Sequence, residues 1–130
     1  GDAATDETQF GVAAFDAATS TCVLCHAGLG RYGDAINERG DYKIVDKVFA
    51  ALRPGGMAVF TLGPVYYLDG TVRFGTTQRV YSLADAFHMT RQFRVLEYKI
   101  FDIRAHEWVW QINLDKVLDK DYLTLKLEKP

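Results

Sequence analysis

The chain has no block of basic residues and no long apolar run. Its 15 Lys and Arg stand against 17 Asp and Glu, for a formal charge of −2 at pH 7. The positive footprint of a nucleic-acid binder is therefore missing, and no nucleic-acid partner is expected. No apolar stretch approaches the ~20 residues a bilayer requires, so no membrane span is expected either. Cysteine is scarce: Cys22 and Cys25 are the two in the chain. Their odd spacing in what reads as one strand sends the side chains to opposite faces. Reduced thiols are expected, and with them a reducing, intracellular and cytoplasmic setting. A structural zinc needs four ligands. One C-x-x-C pair, with His26, His88 and His106 elsewhere, favours small buried hydrophobes over a metal site, and no metal is expected. The opening residues, Gly1-Asp2-Ala3-Ala4-Thr5-Asp6-Glu7, include no initiator Met. They match neither a signal-peptide nor a transit-peptide pattern. The chain is expected to begin after processing or partway along a longer gene product.

What is present reads as one α/β domain, residues 1–130, or part of one. Hydrophobic residues make up 48% and charged residues 25%, an ordinary balance for a globular chain. The organising stretch is Phe15 to Asp34, FDAATSTCVLCHAGLGRYGD. Its first half, Phe15 to Cys25, is apolar and β-branched without strict alternation, which predicts a parallel strand covered on both faces. Its second half is a loop with three glycines, and in open α/β sheets ligands sit off the carboxyl ends of the strands. Asp41 is placed to cap a helix carrying the stripe Ile44, Val45, Val48, Phe49 and Leu52. Arg53-Pro54-Gly55-Gly56 should stop that helix in a turn. Met57 to Leu62 reads as a second buried strand, completing a βαβ unit. Gly63-Pro64 should end it, with a hairpin around Asp69-Gly70 beyond. Ser82 is a candidate N-cap for a helix over Leu83 to Thr90. Phe93 to Ile103 reads as a strand with a bulge, His106 to Leu118 is helix or irregular insert, and Tyr122 to Leu127 should pair antiparallel with Phe93 to Ile103.

The order of FD, strand, LxHxGLGRYGD, helix, LRPGG and strand resembles the second half of a class I S-adenosylmethionine-dependent methyltransferase. More narrowly, HAGLGRYGDAINERGDYK resembles the signature of the domain-of-unknown-function 268 group. The resemblance spans about Gly1 to Ile103 and, more loosely, the last strand. It implies a partial Rossmann-like methyltransferase sheet, mixed, with a parallel βαβ unit and a C-terminal antiparallel strand pair. It implies S-adenosylmethionine as cofactor, with Asp2 and Ala3 in the adenine loop and Cys22 and Leu24 along the exit of the strand. Cys25 stands where an acidic residue is common, and Ala35 where a Pro follows GD. No G-x-G follows an early strand, so the loop that takes the methionine end of the cofactor would lie upstream of Gly1. The chain would then hold half a cofactor site. Its first strand would offer an open edge for the missing N-terminal half or for another chain.

Four loop residues are the catalytic candidates. Arg31 could hold an anionic group while Tyr32 and Asp34 orient a small-molecule acceptor; equally, Arg31 and Asp34 could order the loop itself. His26 could act as a general base or be a strand-end histidine bonded to backbone. Tyr66, Tyr67, Arg73, Phe74, Arg79 and Tyr81 could line an acceptor pocket, though core packing and a solvated rim are the commoner use of such residues. Two functions follow: the C-terminal half of a methyltransferase, or a non-catalytic methyltransferase-like module of a larger assembly.

Overall fold

The computed structural model describes residues 12–66, 71–74, 78–102, 107–109 and 121–130. Strand β1 (Phe15–Thr21) leads through a long loop to helix α1 (Gly40–Ala51), which runs directly into strand β2 (Leu52–Tyr66). β1 and β2 are parallel, in register from Ala17 opposite Met57 to Thr21 opposite Thr61. This is the βαβ unit the sequence predicts. A short hairpin follows, β3 (Val72–Phe74) and β4 (Gln78–Ser82), then helix α2 (Leu83–Met89). β5 (Arg94–Asp102), β6 (Glu107–Val109) and β7 (Asp121–Glu128) complete the chain. The sheet order is β3-β4-β2-β7-β5-β6, with β1 also paired to β2. The parallel βαβ and the antiparallel β5–β7 pair are both present, with β7 inserted between β2 and β5.

Both helices lie on one face of this sheet. Ile44, Val45 and Val48 of α1 and Leu83, Ala86 and Met89 of α2 join Ala58, Phe60 and Leu62 of β2 and Leu123, Leu125 and Leu127 of β7 in one buried cluster. Alternation along a strand sends the intervening residues to the opposite face. There Thr61 and Thr124 pair through their hydroxyls at 3.0 Å, Val59 is half-buried and Met57 exposed.

Four expectations are corrected. β1 is not covered on both faces: Phe15, Asp16, Ala17, Thr19 and Thr21 are exposed, because the helices of the described residues all sit on the other side. The strand also stops at Thr21, since Cys22 takes φ +55° and turns the chain. Asp41 is not the N-cap. It lies inside the first turn, 3% exposed, while Arg39 holds the cap position without a side-chain bond. Arg53-Pro54-Gly55-Gly56 is an excursion within β2, between the pairings of Phe15 with Leu52 and Ala17 with Met57. Gly55 at φ +82° makes the bend, and Gly55 N–H and the Gly56 carbonyl both bond Lys129 at 2.8 Å. Lys129 Nζ then donates to the carbonyls of Phe49 (2.7 Å) and Leu52 (2.8 Å). A cation thus satisfies the helix end that α1 leaves without a basic residue of its own.

Other expectations hold. Ser82 caps α2, its hydroxyl accepting from Asp85 N–H at 3.2 Å. β5 carries its bulge between Val95 and Glu97. Gly63-Pro64 is a further correction: the expected strand end is only a register irregularity, and β2 continues past it to Tyr66. The hairpin pairs Val72 with Val80 and Phe74 with Gln78, while Asp69-Gly70 lies outside the described residues. Within His106 to Leu118, expected as helix or irregular insert, the described part is instead strand β6, paired antiparallel to β5.

Candidate functional site

The loop after β1 is anchored from inside. Leu24, Cys25 and Leu29 are fully buried, and the Cys25 thiol donates to the Gly63 carbonyl at 3.0 Å. Burial pushes that thiol up to about 11, with the Gly63 hydrogen bond acting the other way. Gly28, Gly30 and Gly33 all take positive φ, and Asn37 N–H closes onto the Gly28 carbonyl at 2.7 Å. The Asp34 carboxylate accepts from Gly28 N–H at 2.8 Å and from Tyr32 N–H at 3.4 Å. Partial burial pushes the Asp34 carboxyl up, but these backbone donors outweigh it and hold it below the usual carboxylate value.

Arg79 fixes the loop from outside. This β4 residue is 5% exposed. Nη1 donates to the carbonyls of Leu24 (3.1 Å) and Ala27 (2.5 Å), and Nη2 to those of Asn37 and Glu38 (both 3.3 Å). Nε lies 3.7 Å from Asp41. Tyr81, two residues on along the same strand face, donates its hydroxyl to Asp41 at 2.6 Å and approaches the Leu24 carbonyl at 3.1 Å. Burial and the adjacent Asp41 carboxylate raise the Tyr81 phenol well above its ordinary value, so it remains a donor. A guanidinium with five donors in a fixed fork suits this work, because it satisfies several loop carbonyls that would otherwise be buried unpaired.

On the outer surface, His26, Arg31 and Tyr32 come together. Arg31 Nη1 is 3.3 Å from His26 Nδ1. A guanidinium only donates, so in this contact Nδ1 can serve only as the acceptor. The Arg31 guanidinium lies 5.3 Å from the Tyr32 ring centroid, and the His26 and Tyr32 rings meet edge-to-face at 5.9 Å. Asp34 is half-buried within the loop rather than part of this cluster. Cys22 is half-buried at the end of β1, and Leu24 is a core residue whose carbonyl is taken by Arg79 and Tyr81. Asp2 and Ala3 lie outside the described residues.

Behind the Arg79 partition is a cleft of about 410 Å³, lined by Glu38, Arg39, Asp41, Tyr42, Thr71, Arg79, Tyr81 and Asp85. None of the four loop candidates lines it. Of the residues the sequence offered as an acceptor pocket, Arg79 and Tyr81 are here, and Tyr67 lies outside the described residues. Asp41, Tyr42 and Asp85 had no local signal beyond their place in the first turns of helices. The alternation of Arg79 and Tyr81 was the one available clue that they share a face.

A mixed sheet with a parallel βαβ unit, a glycine-rich loop off its first strand and an antiparallel return strand inserted beside β2 defines a class I methyltransferase-like, Rossmann-like fold. The cyclase SpnF superposes with a TM-score of 0.66 at 18% identity, over 99% of this chain and 54% of that one. An S-adenosylmethionine-dependent methyltransferase from Methanosarcina mazei gives 0.63 at 12%, over 99% and 65%. The 1,6-didemethyltoxoflavin N1-methyltransferase of Burkholderia thailandensis, solved with S-adenosylhomocysteine, gives 0.59 at 16%, over 98% and 48%. The chain thus spans about half to two thirds of the length of these structures. A comparison with curated protein sequences gives no match. The family model described as Caenorhabditis protein of unknown function, DUF268, matches residues 2–113, and the chain belongs to that family.

Proposed function

We propose that this chain forms the C-terminal half of an S-adenosylmethionine-dependent methyltransferase site, completed by further polypeptide along β1. The observation that carries this reading is the carboxyl end of β1, where the glycine loop leaves a strand paired, among the described residues, to β2 alone. Members of this fold open their ligand crevice at that place. Similarity of fold does not settle the reaction, since a cyclase and methyltransferases share it here.

The described residues fit one wall of a cofactor site. Cys22, half-buried with φ +55° at the turn out of β1, is the residue this reading assigns to backbone contact with the cofactor. Leu24, with its side chain in the core and its carbonyl held by Arg79 and Tyr81, contributes by anchoring the loop rather than by touching the cofactor, and Asp2 and Ala3 are proposed for the adenine side. When bound, S-adenosylmethionine would supply an electrophilic methyl group, and the protein's part is chiefly to position the small-molecule acceptor in line with it. In that arrangement Arg31 holds an anionic group, Tyr32 helps orient the acceptor, and His26 beside them is the candidate general base. Asp34 is a positioning residue, acting through the backbone of Gly28 and Tyr32. The free thiols Cys22 and Cys25 accord with an intracellular, reducing setting.

Calorimetric titration of the full-length gene product with S-adenosylmethionine tests the reading. Saturable binding, weakened by Asp2→Ala and by Cys22→Tyr at the mouth, is the expected result. A flat titration of a folded product would favour the second reading, a non-catalytic module of an assembly. That reading draws support from Asp34 and Leu24 being engaged in holding their own loop.

A further inference from the structure

The cleft behind Arg79 lies outside the loop cluster, and its walls have a definite chemistry. The floor is the buried Asp41–Arg79 pair, whose charges offset each other. Above it stand two carboxylate residues, Glu38 and Asp85, one cation, Arg39, and the aromatic ring of Tyr42. Thr71 holds the Asp85 carboxylate by its backbone N–H at 2.8 Å and its hydroxyl at 2.7 Å. Those bonds, against a smaller effect of burial, keep the Asp85 carboxyl below its ordinary value. It is therefore an ionised acceptor at neutral pH. Burial, and after it the charge of Asp85, raise the Tyr42 phenol above its ordinary value, so it stays neutral. Counting the walls above the neutral floor leaves one net negative charge around an aromatic face.

That face already receives a cation from the chain itself: the Arg39 guanidinium lies 4.7 Å from the Tyr42 ring centroid. Arg39 is exposed, and its guanidinium is engaged by the Tyr42 ring and by a hydrogen bond to the Tyr42 hydroxyl, so an incoming cation would compete with it for the same ring. A planar cation over an aromatic ring, with carboxylates on the rim, is the arrangement that recognises organic ammonium groups. We propose that this cleft binds a small organic amine in its protonated form. The ammonium takes the place of the Arg39 guanidinium over Tyr42 and donates to the Asp85 and Glu38 carboxylates. Calling that amine the methyl acceptor rests on the methyltransferase reading; its binding does not.

The test titrates the isotope-labelled full-length gene product, without S-adenosylmethionine, against putrescine, its neutral analogue 1,4-butanediol and the dianion succinate, reading amide shifts. Putrescine should shift the amides of Tyr42, Thr71 and Asp85 saturably, with a Kd of about 1 mM or tighter. 1,4-Butanediol and succinate should leave them in place. Asp85→Asn and Glu38→Gln should each weaken putrescine binding about tenfold or more. Melting curves, and the unshifted amides of β7, check that each variant is folded. Equal binding of 1,4-butanediol, preference for succinate, or no saturable shift with putrescine would each overturn the amine site. If the amine binds and the S-adenosylmethionine titration is flat, the cleft stands and the methyltransferase reading falls.

Discussion

Arg79 is the residue whose loss the fold should feel most. Removing its side chain leaves a buried Asp41 carboxylate without its cation and uncaps carbonyls of the loop it crosses. Breaking a buried pair from one side costs about 3–5 kcal/mol, a large share of the stability of an ordinary domain. Urea unfolding of Arg79→Ala should show a loss in that range. Adding Asp41→Asn should recover part of it, because the unpaired charge goes too. The glycines divide by the same kind of argument. A Cβ at Gly28 would run into the Asn37 carbonyl, on top of φ +74°, whereas Gly33 at φ +80° faces open space. Gly33→Ala should cost about 1–2 kcal/mol, the price of the left-handed conformation alone, and Gly28→Ala clearly more. Equal losses in the two variants would show that Asn37 moves freely out of the way. The glycine spacing was legible in the sequence because such loops need φ above zero at particular positions. Arg79 was not, because its partner Leu24 is 55 residues away and no local pattern encodes that pairing.

At the scale of elements, the loop from β1 to α1 behaves as one unit tied by a carboxylate. The Asp34 carboxyl sits below its ordinary value in the folded chain. A carboxyl lowered on folding stabilises the native state above its unfolded value, near pH 4, and loses that contribution as the pH falls through the folded value. Asp34→Asn should therefore lower the urea midpoint at about pH 6 and differ less from the parent at about pH 3. A gap of the same size at both would show that the ionised carboxylate is not what closes the loop. The elements themselves were legible where a local rule decides them. Ser82 three residues before Asp85 announces α2, and the alternation of Tyr122 to Leu127 announces β7. The failures came where a distant partner overrides the local rule. Asp41 looks like a cap until Tyr81 and Arg79 claim its carboxylate. Arg53-Pro54-Gly55-Gly56 looks like a turn until Lys129 pairs across it and draws it into β2.

For the whole molecule, the deciding feature is the mismatch between what β1 is built for and what covers it. The strand Phe15-Asp16-Ala17-Ala18-Thr19-Ser20-Thr21 carries one charge, Asp16, and that charge is paired with Arg53 at 2.9 Å. It has none of the lysines, prolines or inward charges that protect a free edge. The sheet face beside it presents Thr19, Thr21, Met57, Val59 and Thr61, uncharged throughout and covered by neither described helix. On the proposed reading, the polypeptide that completes the site also covers this edge and face. The chain by itself should then self-associate: sedimentation at up to about 100 μM should show mass rising with concentration. Thr19→Lys, which places a charge on the exposed strand, should suppress that rise without lowering the melting temperature of the dilute chain, since Thr19 packs against none of the core cluster. Supplying the completing segment should also suppress it, and should raise the melting temperature as binding to the native state requires. A monomer at every concentration, with β1 amides exchanging as slowly as those of β2, would mean that this edge has its partner within the chain. The cofactor half-site would then have to stand alone.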